Sequence, residues 1–386
     1  MKTFRQSFFI SLGIILIIIF SFITGYIGHD YLQTRATNFP ILDQAYQLII
    51  NHGYNPVPTA PAIEYGMIRG MIEAYGDPYT NFYEPAQFEL ETNSLQGKYG
   101  GIGVDLGKDG QGNYILYPYS SGPAIKAGII DGDRLLSVDQ LQITHETSQD
   151  SILAAISGPV GQNVNLIIAH SPNFIPEEIS IKREEITLPS VSWHLEPEEP
   201  RIGLIKVNVI AETTVTEITQ AISDLNSHGA TQYILDLRDN YGGLLDSGID
   251  IARLFLDQGI IIQQQYRGQG VETFNALESG PYVSIPLVIL VNHNTASAAE
   301  IIAGSLQERQ RAILIGTSTY GKDTIQLVYE LQDGSSMHIT AAHWWIPGLS
   351  TPLAGNGLQP DIEIQPDSAS DMDPAIQAAI QYFSNR

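Results

Sequence analysis

Cysteine is absent from the 386-residue chain. That excludes disulfides, thiolate nucleophiles and cysteine-based metal sites, and it fits a bacterial protein working outside the cytoplasm. Basic residues are scarce, with 19 Lys and Arg against 42 Asp and Glu and a net charge of −23. Recognition of a phosphate backbone needs clustered cations, so nucleic acid is not an expected partner. The same acidic surplus repels anionic headgroups, so any hold on a membrane has to be hydrophobic. None of the nine histidines stands in an HExxH or other paired-ligand spacing, His338 and His343 included, and neither a metal nor any other cofactor is expected. Internal repeats and low-complexity stretches are also missing. With seven lysines in the whole chain, the setting of each one is informative.

Hydrophobic residues, by contrast, make up 43% of the chain, enough for two or three cores. Phe8 to Ile27 carries no charge and as a helix would reach about 30 Å, the thickness of a bilayer core. Lys2 and Arg5 precede it, so residues 1–30 are expected to be a signal anchor with the N-terminus inside and the rest of the chain outside. The rival reading, a cleaved signal peptide, normally has a shorter apolar region and an Ala-x-Ala site just after it, which is not seen here. Over 37–92, Ile41, Leu42, Ala45, Leu48 and Ile49 repeat at helical spacing, as do Ile63, Met67, Ile68, Met71 and Ile72. These helices are expected to pack or to dimerise. From 93 to 185, short strands alternate with glycine-rich turns, and Ser148 to Ile156 reads as a helix. Strands and helices alternate over 186–365, with Ile202–Val209 and Tyr233–Leu237 as strands and Val215–Leu225 and Leu245–Leu256 as helices, which predicts an α/β core. A polar tail, 366–386, ends in a short helix from Pro374 to Phe383.

Two residues in the α/β part suit nucleophilic chemistry. The apolar run Pro286–Val291 leads through Asn292-His-Asn-Thr-Ala-Ser297 into a helical pattern, placing Ser297 at a helix mouth where free N–H groups and the dipole favour a developing oxyanion. Lys322 follows Gly321 between the runs Ala312–Gly316 and Ile325–Tyr329. A serine hydroxyl needs a base, and a buried lysine becomes one when desolvation lowers its pKa toward neutrality. From spacing alone, a helix-capping serine and an ordinary loop lysine fit equally well. His293 is the alternative base, four residues before Ser297. Gly242-Gly243 ends another strand and allows either a tight turn or close backbone approach to a substrate carbonyl. Asp236 and Arg238 share a strand face and are expected to pair with each other rather than to act as acid and base. Tyr99-Gly-Gly-Ile-Gly-Val104 offers backbone N–H groups that suit a peptide's terminal carboxylate.

Thr295-Ala-Ser297-Ala-Ala-Glu300, Gly321-Lys322 with Gln326, and Leu235-Asp-Leu-Arg-Asp-Asn-Tyr-Gly-Gly-Leu244 together resemble the C-terminal processing peptidases, or tail-specific proteases. Asp77-Pro-Tyr-Thr80, Gly100–Val104 with Gly132-Asp-Arg-Leu135, and Gly357–Asp361 extend the resemblance over roughly residues 38 to 365. It implies a ClpP/crotonase-like α/β peptidase core with an inserted β-rich PDZ domain and an N-terminal helical segment after one transmembrane helix. Carried over, Ser297 is the nucleophile, Lys322 the general base and Gln326 the group that orients the lysine. The N–H groups of Gly243 and Ala298 form the oxyanion hole, and Gly101, Ile102, Gly103 and Val104 hold the peptide terminus. The implied partners are protein or peptide substrates with a free C-terminus, the membrane, a second copy of the chain and an adaptor protein. The implied place is the bacterial cell membrane, single-pass, with the peptidase outside. The alternative is a catalytically inactive or ligand-gated tail-binding module or chaperone at the membrane surface. Two positions depart from the family pattern. Ala299 replaces a serine without consequence for the base, and Asp323 replaces a glycine, where a carboxylate is expected to raise the pKa of Lys322.

Overall fold

The computed structural model describes residues 39–58, 60–119, 122–170, 173–187, 189–365 and 373–385. The expected anchor at 1–30 lies outside the described residues. Among those described, no helix is long and apolar enough to cross a membrane. The chain divides into two units, one ending at Gly70 and one running from Met71 to the C-terminus.

The first unit holds helix α1 (Pro40–His52) and most of α2 (Ala60–Tyr75). Pro40 sits in the first turn of α1, where its missing N–H costs nothing. Helical spacing is as predicted, but no residue of either helix is buried, and Ile41 is 81% exposed. The apolar stripe that predicted packing therefore finds no core among the described residues. Phe39, Leu42, Tyr46, Ile63 and Met67 line a shallow groove between the two helices.

The second unit begins with β1 (Asn81–Tyr83), α3 (Pro85–Leu95) and β2 (Lys98–Gly101). A β-rich module follows, made of β3 (Val104–Lys108), β4 (Tyr114–Pro118), α4 (Pro123–Lys126), β5 (Asp133–Val138), β6 (Leu141–Gln142), α5 (Gln149–Ile156), β7 (Asn163–Ala169) and β8 (Pro176–Lys182). Its main sheet runs β3-β4-β5-β7-β8, with β3 at one edge. Ile102, Leu116, Ile152, Leu166 and Ile168 form its separate core. Ser148 caps α5 by accepting from the Ser151 N–H, so the helix starts one residue later than predicted and ends at Ile156 as expected. Strand β9 (Glu184–Thr187) returns to pair with β2.

The α/β part comprises β10 (Val191–Leu195), β11 (Ile202–Val207), α6 (Thr214–Ser227), β12 (Gln232–Asp236), α7 (Leu245–Phe255), β13 (Gly259–Tyr266), β14 (Val271–Ala276), β15 (Leu287–Val291), α8 (Ala298–Glu308), β16 (Ile313–Gly316), β17 (Thr324–Glu330), β18 (Ser336–Trp345), β19 (Ile362–Glu363) and α9 (Pro374–Ser384). A six-stranded sheet runs β10-β11-β12-β15-β16-β19, parallel apart from β10. Because side chains alternate along a strand, Ile205, Val207, Leu235, Ile289 and Val291 face α6, α7 and α8. Leu204, Ile234, Val288 and Leu290 face α9. Both faces are covered, which is why β15 is apolar at every position. All the parallel strand ends from which the site loops spring are therefore anchored in buried core.

A second, antiparallel sheet runs β1-β18-β13-β14, with β17 also on β18. Strand β1 was not expected in a helical segment; Asn81 pairs with His338 and Tyr83 with Ser336. Three residues are too few to show alternation, so tertiary pairing alone defines this strand. The Gly357–Asp361 run of the resemblance is the approach to β19. A Cβ on Gly357 would lie 2.1 Å from the Thr319 carbonyl oxygen, so that glycine permits two backbones to cross.

Candidate active site

The turn carrying Ser297 is tied to three strand ends. Thr295 Oγ1 accepts from the Asn292 N–H at 3.0 Å and donates to the Leu237 carbonyl at 2.9 Å. Asn240, fully buried, donates from Nδ2 to Val207 O, accepts the Gly242 N–H at Oδ1, and accepts the Ala296 N–H at its own carbonyl. The glycine loop and the serine turn are thus one hydrogen-bonded block. Ser297 stands at φ +56°, ψ −122° just before α8. For a residue with a side chain that conformation costs about 1–3 kcal/mol, held in place by the surrounding bonds.

Glu300, 0% exposed, joins this turn to the lysine loop. Its Oε2 accepts from the N–H groups of Ser297 at 2.9 Å and Lys322 at 3.0 Å. Its Oε1 accepts from Thr319 Oγ1 at 2.6 Å and the Gly321 N–H at 2.7 Å. Burial pushes its carboxyl upward, against the pull of these four donors. Lys322 Nζ lies 5.5 Å from the centre of the Tyr79 ring. Burial lowers the lysine pKa below its usual value, opposed by the carboxylates of Glu91, Glu300 and Asp77. Among the described residues, Nζ has no hydrogen bond or ion pair.

Ser297, Lys322, Gln326, Gly243 and Ala298 all line one cavity of about 500 Å³, so five residues singled out from the sequence are brought together. Gly242 and Gly243 have φ of +104° and +146°. A Cβ on Gly242 would lie 2.9 Å from Ser297 Cβ, and one on Gly243 would lie 2.1 Å from Ile210 O. Ile210 and Leu244 bond around Gly243, through Ile210 N–H to Gly242 O and Leu244 N–H to Ile210 O. Among the described residues no acceptor engages the N–H of Gly243 or of Ala298. Gln326 Nε2 donates to Thr324 Oγ1 at 3.0 Å and to Thr340 Oγ1 at 3.3 Å, not to the lysine.

Other sequence readings sort differently. His293 is exposed, packs its ring against Tyr320, and does not line the cavity. Asp236 and Arg238 pair at 2.7 Å as expected, and Arg238 also reaches Asp373 of the α9 cap at 2.6 Å. Asp323 does not face Lys322. Its carboxylate lies 3.3 Å from His343 and lines a different cavity, because successive residues leave the loop on opposite sides. In the module, Gly101 is held in the β2–β9 ladder and the Ile102 side chain is core. The linker is therefore only Ile102-Gly103, shorter than the expected N–H nest, before Val104 opens β3. No cluster of three His, Asp or Glu residues among those described is placed to hold a metal ion.

Sequence reasoning gave no role to Glu300, Asn240, Glu91 or His338. Glu300 carried a signal, an acid three residues into a helix behind a serine, which reads as a capping box. Asn240 carried none beyond its place beside Gly-Gly. Glu91 and His338 line the cavity with Lys322 but lie 247 positions apart in sequence, counting from the two residue numbers.

Comparison with known proteins gives the family. Residues 201–364 match the model of peptidase family S41. The chain is 34% identical over 322 residues to the carboxyl-terminal-processing protease of Synechocystis, covering 82% of this chain and 75% of that one. It is also 34% identical over 356 residues to the carboxy-terminal processing protease CtpA of Bacillus subtilis, covering 90% and 74%. A crystal structure titled as an S41 protease from Bacteroides fragilis superposes with a TM-score of 0.51 at 17% identity, covering 86% of this chain and 93% of that one, and speaks for the fold alone. The chain belongs to the S41 peptidases and is a serine-type endopeptidase of the C-terminal processing group.

Proposed function

We propose that this enzyme is a Ser-Lys peptidase in which Ser297 attacks the scissile carbonyl. Neutral Lys322 accepts the hydroxyl proton and later gives a proton to the leaving amine, and water then hydrolyses the acyl-enzyme. Gly243 and Ala298 N–H groups receive the oxyanion; removing one such donor typically costs ~100-fold to 1000-fold in rate. The observation that carries the reading is the convergence of a backbone-strained serine, a half-buried lysine and two unengaged N–H groups on one cavity.

The β-rich module is read as a PDZ domain that recruits substrate tails. Its strand β3 lies at a sheet edge, where an extended peptide adds by main-chain hydrogen bonds, and the Gly101–Val104 run leads into it. Residues 1–30 would anchor the enzyme, with the peptidase outside the cell membrane. The apolar stripes of α1 and α2 would pair with a second copy, and an adaptor could regulate it. The unbonded Nζ and the Gln326 amide turned to Thr324 and Thr340 favour a gated enzyme, completed only when substrate binds.

The test is an unfolded reporter with an apolar free C-terminus, set against Ser297→Ala, Lys322→Ala and an amidated reporter. Cleavage by the parent alone, weakened by amidation, is expected. Equal cleavage by Lys322→Ala would remove the lysine from the mechanism, and indifference to amidation would remove tail recognition.

A further inference from the structure

The cavity wall contains an acid–imidazole pair, a half-buried Glu91 and a buried His338, that the mechanism above leaves unused. Glu91 from α3 and His338 from β18 line the cavity together with Lys322. Glu91 Oε2 lies 3.5 Å from His338 Nε2; both atoms are shielded from solvent, and neither has a hydrogen-bond partner among the described residues. The imidazole is fixed in place, with its ring 4.5 Å from that of Tyr83 and edge-on to Phe88. Buried polar atoms are normally satisfied, so an unsatisfied pair beside a base calls for a role.

The groups facing Lys322 are Glu91 from α3, Asp77 and Tyr79 from the segment before β1, Glu300 from α8 and His338 from β18. Glu212 lines the same cavity but is solvent-exposed. Glu300 is committed to four donors. Asp77 is engaged at both oxygens, by the Tyr79 N–H and by Thr80 Oγ1. Of the three carboxylates facing the lysine, Glu91 alone keeps a buried oxygen uncommitted. An opposite charge in a dry site favours the charged form of its partner, and burial does the reverse.

We infer that Glu91, backed by His338, is a positioning residue for the base: its carboxylate makes no ion pair with Nζ but places a negative charge in the shared cavity that favours protonated Lys322 in the free enzyme, and substrate filling that cavity shields the lysine from it. Neutral lysine is then available only where a peptide is bound, the displaced proton passing to water. This rests on the Ser-Lys reading. It also gives α3, which leads directly into the β-rich module, a direct hold on the base.

The test is kcat/KM against pH for the full chain, for Glu91→Gln and for His338→Phe, with Lys322→Ala alongside. Removing that negative charge lowers the lysine pKa, so the limb that rises with pH should move to lower pH by about one unit in Glu91→Gln. Well below the limb this is about a tenfold gain relative to each enzyme's own plateau. His338→Phe keeps the ring packing and should move the limb the same way by less. A second readout is the titration midpoint of Lys322 by NMR of lysine 13Cε in a Ser297→Ala background, which should fall when Glu91→Gln is added. A limb and midpoint that stay put, with activity lowered evenly at all pH, would make Glu91 merely structural and overturn the inference. Retained activity in Lys322→Ala would overturn the Ser-Lys reading instead.

Discussion

Replacing Glu300 by glutamine changes one atom and tests how the site is assembled. The carboxylate accepts two donors on each oxygen. Glutamine offers one carbonyl oxygen and one NH2 group. In its best orientation the oxygen keeps Ser297 and Lys322 N–H, while the amide meets Thr319 and Gly321. Thr319 Oγ1 can turn to accept, but it already accepts the Leu358 N–H at 2.7 Å, and the Gly321 N–H is left facing another donor. One lost charged hydrogen bond plus one buried unsatisfied donor costs about 3–5 kcal/mol. Removing a buried charge offsets part of this, leaving a net cost of about 2 kcal/mol, or roughly 4–8 °C in Tm for a domain of this size. The Gly321-Lys322 backbone would also move away from the amide, and a misplacement near 1 Å costs about 100-fold in rate. Thermal unfolding and kcat/KM on a peptide reporter measure both effects. Parent-like values in each would refute the idea that Glu300 holds nucleophile and base in register.

Ser297→Gly should be inactive yet more stable by about 1 kcal/mol, since relief of the φ +56° strain exceeds the added chain entropy of glycine in the unfolded state. Urea unfolding checks this, and a lower midpoint would contradict it. Gly242→Ala should lose about 100-fold in kcat/KM, because its Cβ would lie 2.9 Å from Ser297 Cβ and 3.2 Å from the Ala298 nitrogen. An active variant would show that the loop yields without moving the oxyanion donors. Asp323→Asn should leave the pH–activity limb unmoved, since Asp323 faces His343. A shift to lower pH would show that its charge reaches Lys322 after all.

What the sequence revealed and what it hid divide along a physical line. Ser297, Lys322 and the Gly242-Gly243 turn were legible because each lies in the loop that follows a short buried strand rich in apolar residues, where the element is readable and the odd residue conspicuous. The α6 and α7 boundaries fell within two residues of expectation for the same reason. Glu91, His338 and β1 were not legible, because their meaning comes only from pairing across the fold. Nothing near Asn81 in sequence announces His338 as its neighbour. Asp323 misled for a local reason: proximity to Lys322 in sequence suggested proximity in space, and the loop turns the two side chains into different cavities.

Strand β1 has a consequence for the birth of the enzyme. The Thr340 N–H bonds to Thr80 Oγ1 across 260 residues, and Tyr79 and Glu91 reach Lys322 from the early part of the chain. Loop closure on that scale comes late, after the sheet on which it docks has formed. The surroundings that set the charge of Lys322 therefore cannot exist until at least β18 has been synthesised. A nascent chain therefore carries Ser297 before the residues that set the charge of Lys322 can gather around it, which defers assembly of the site to the last stage of folding.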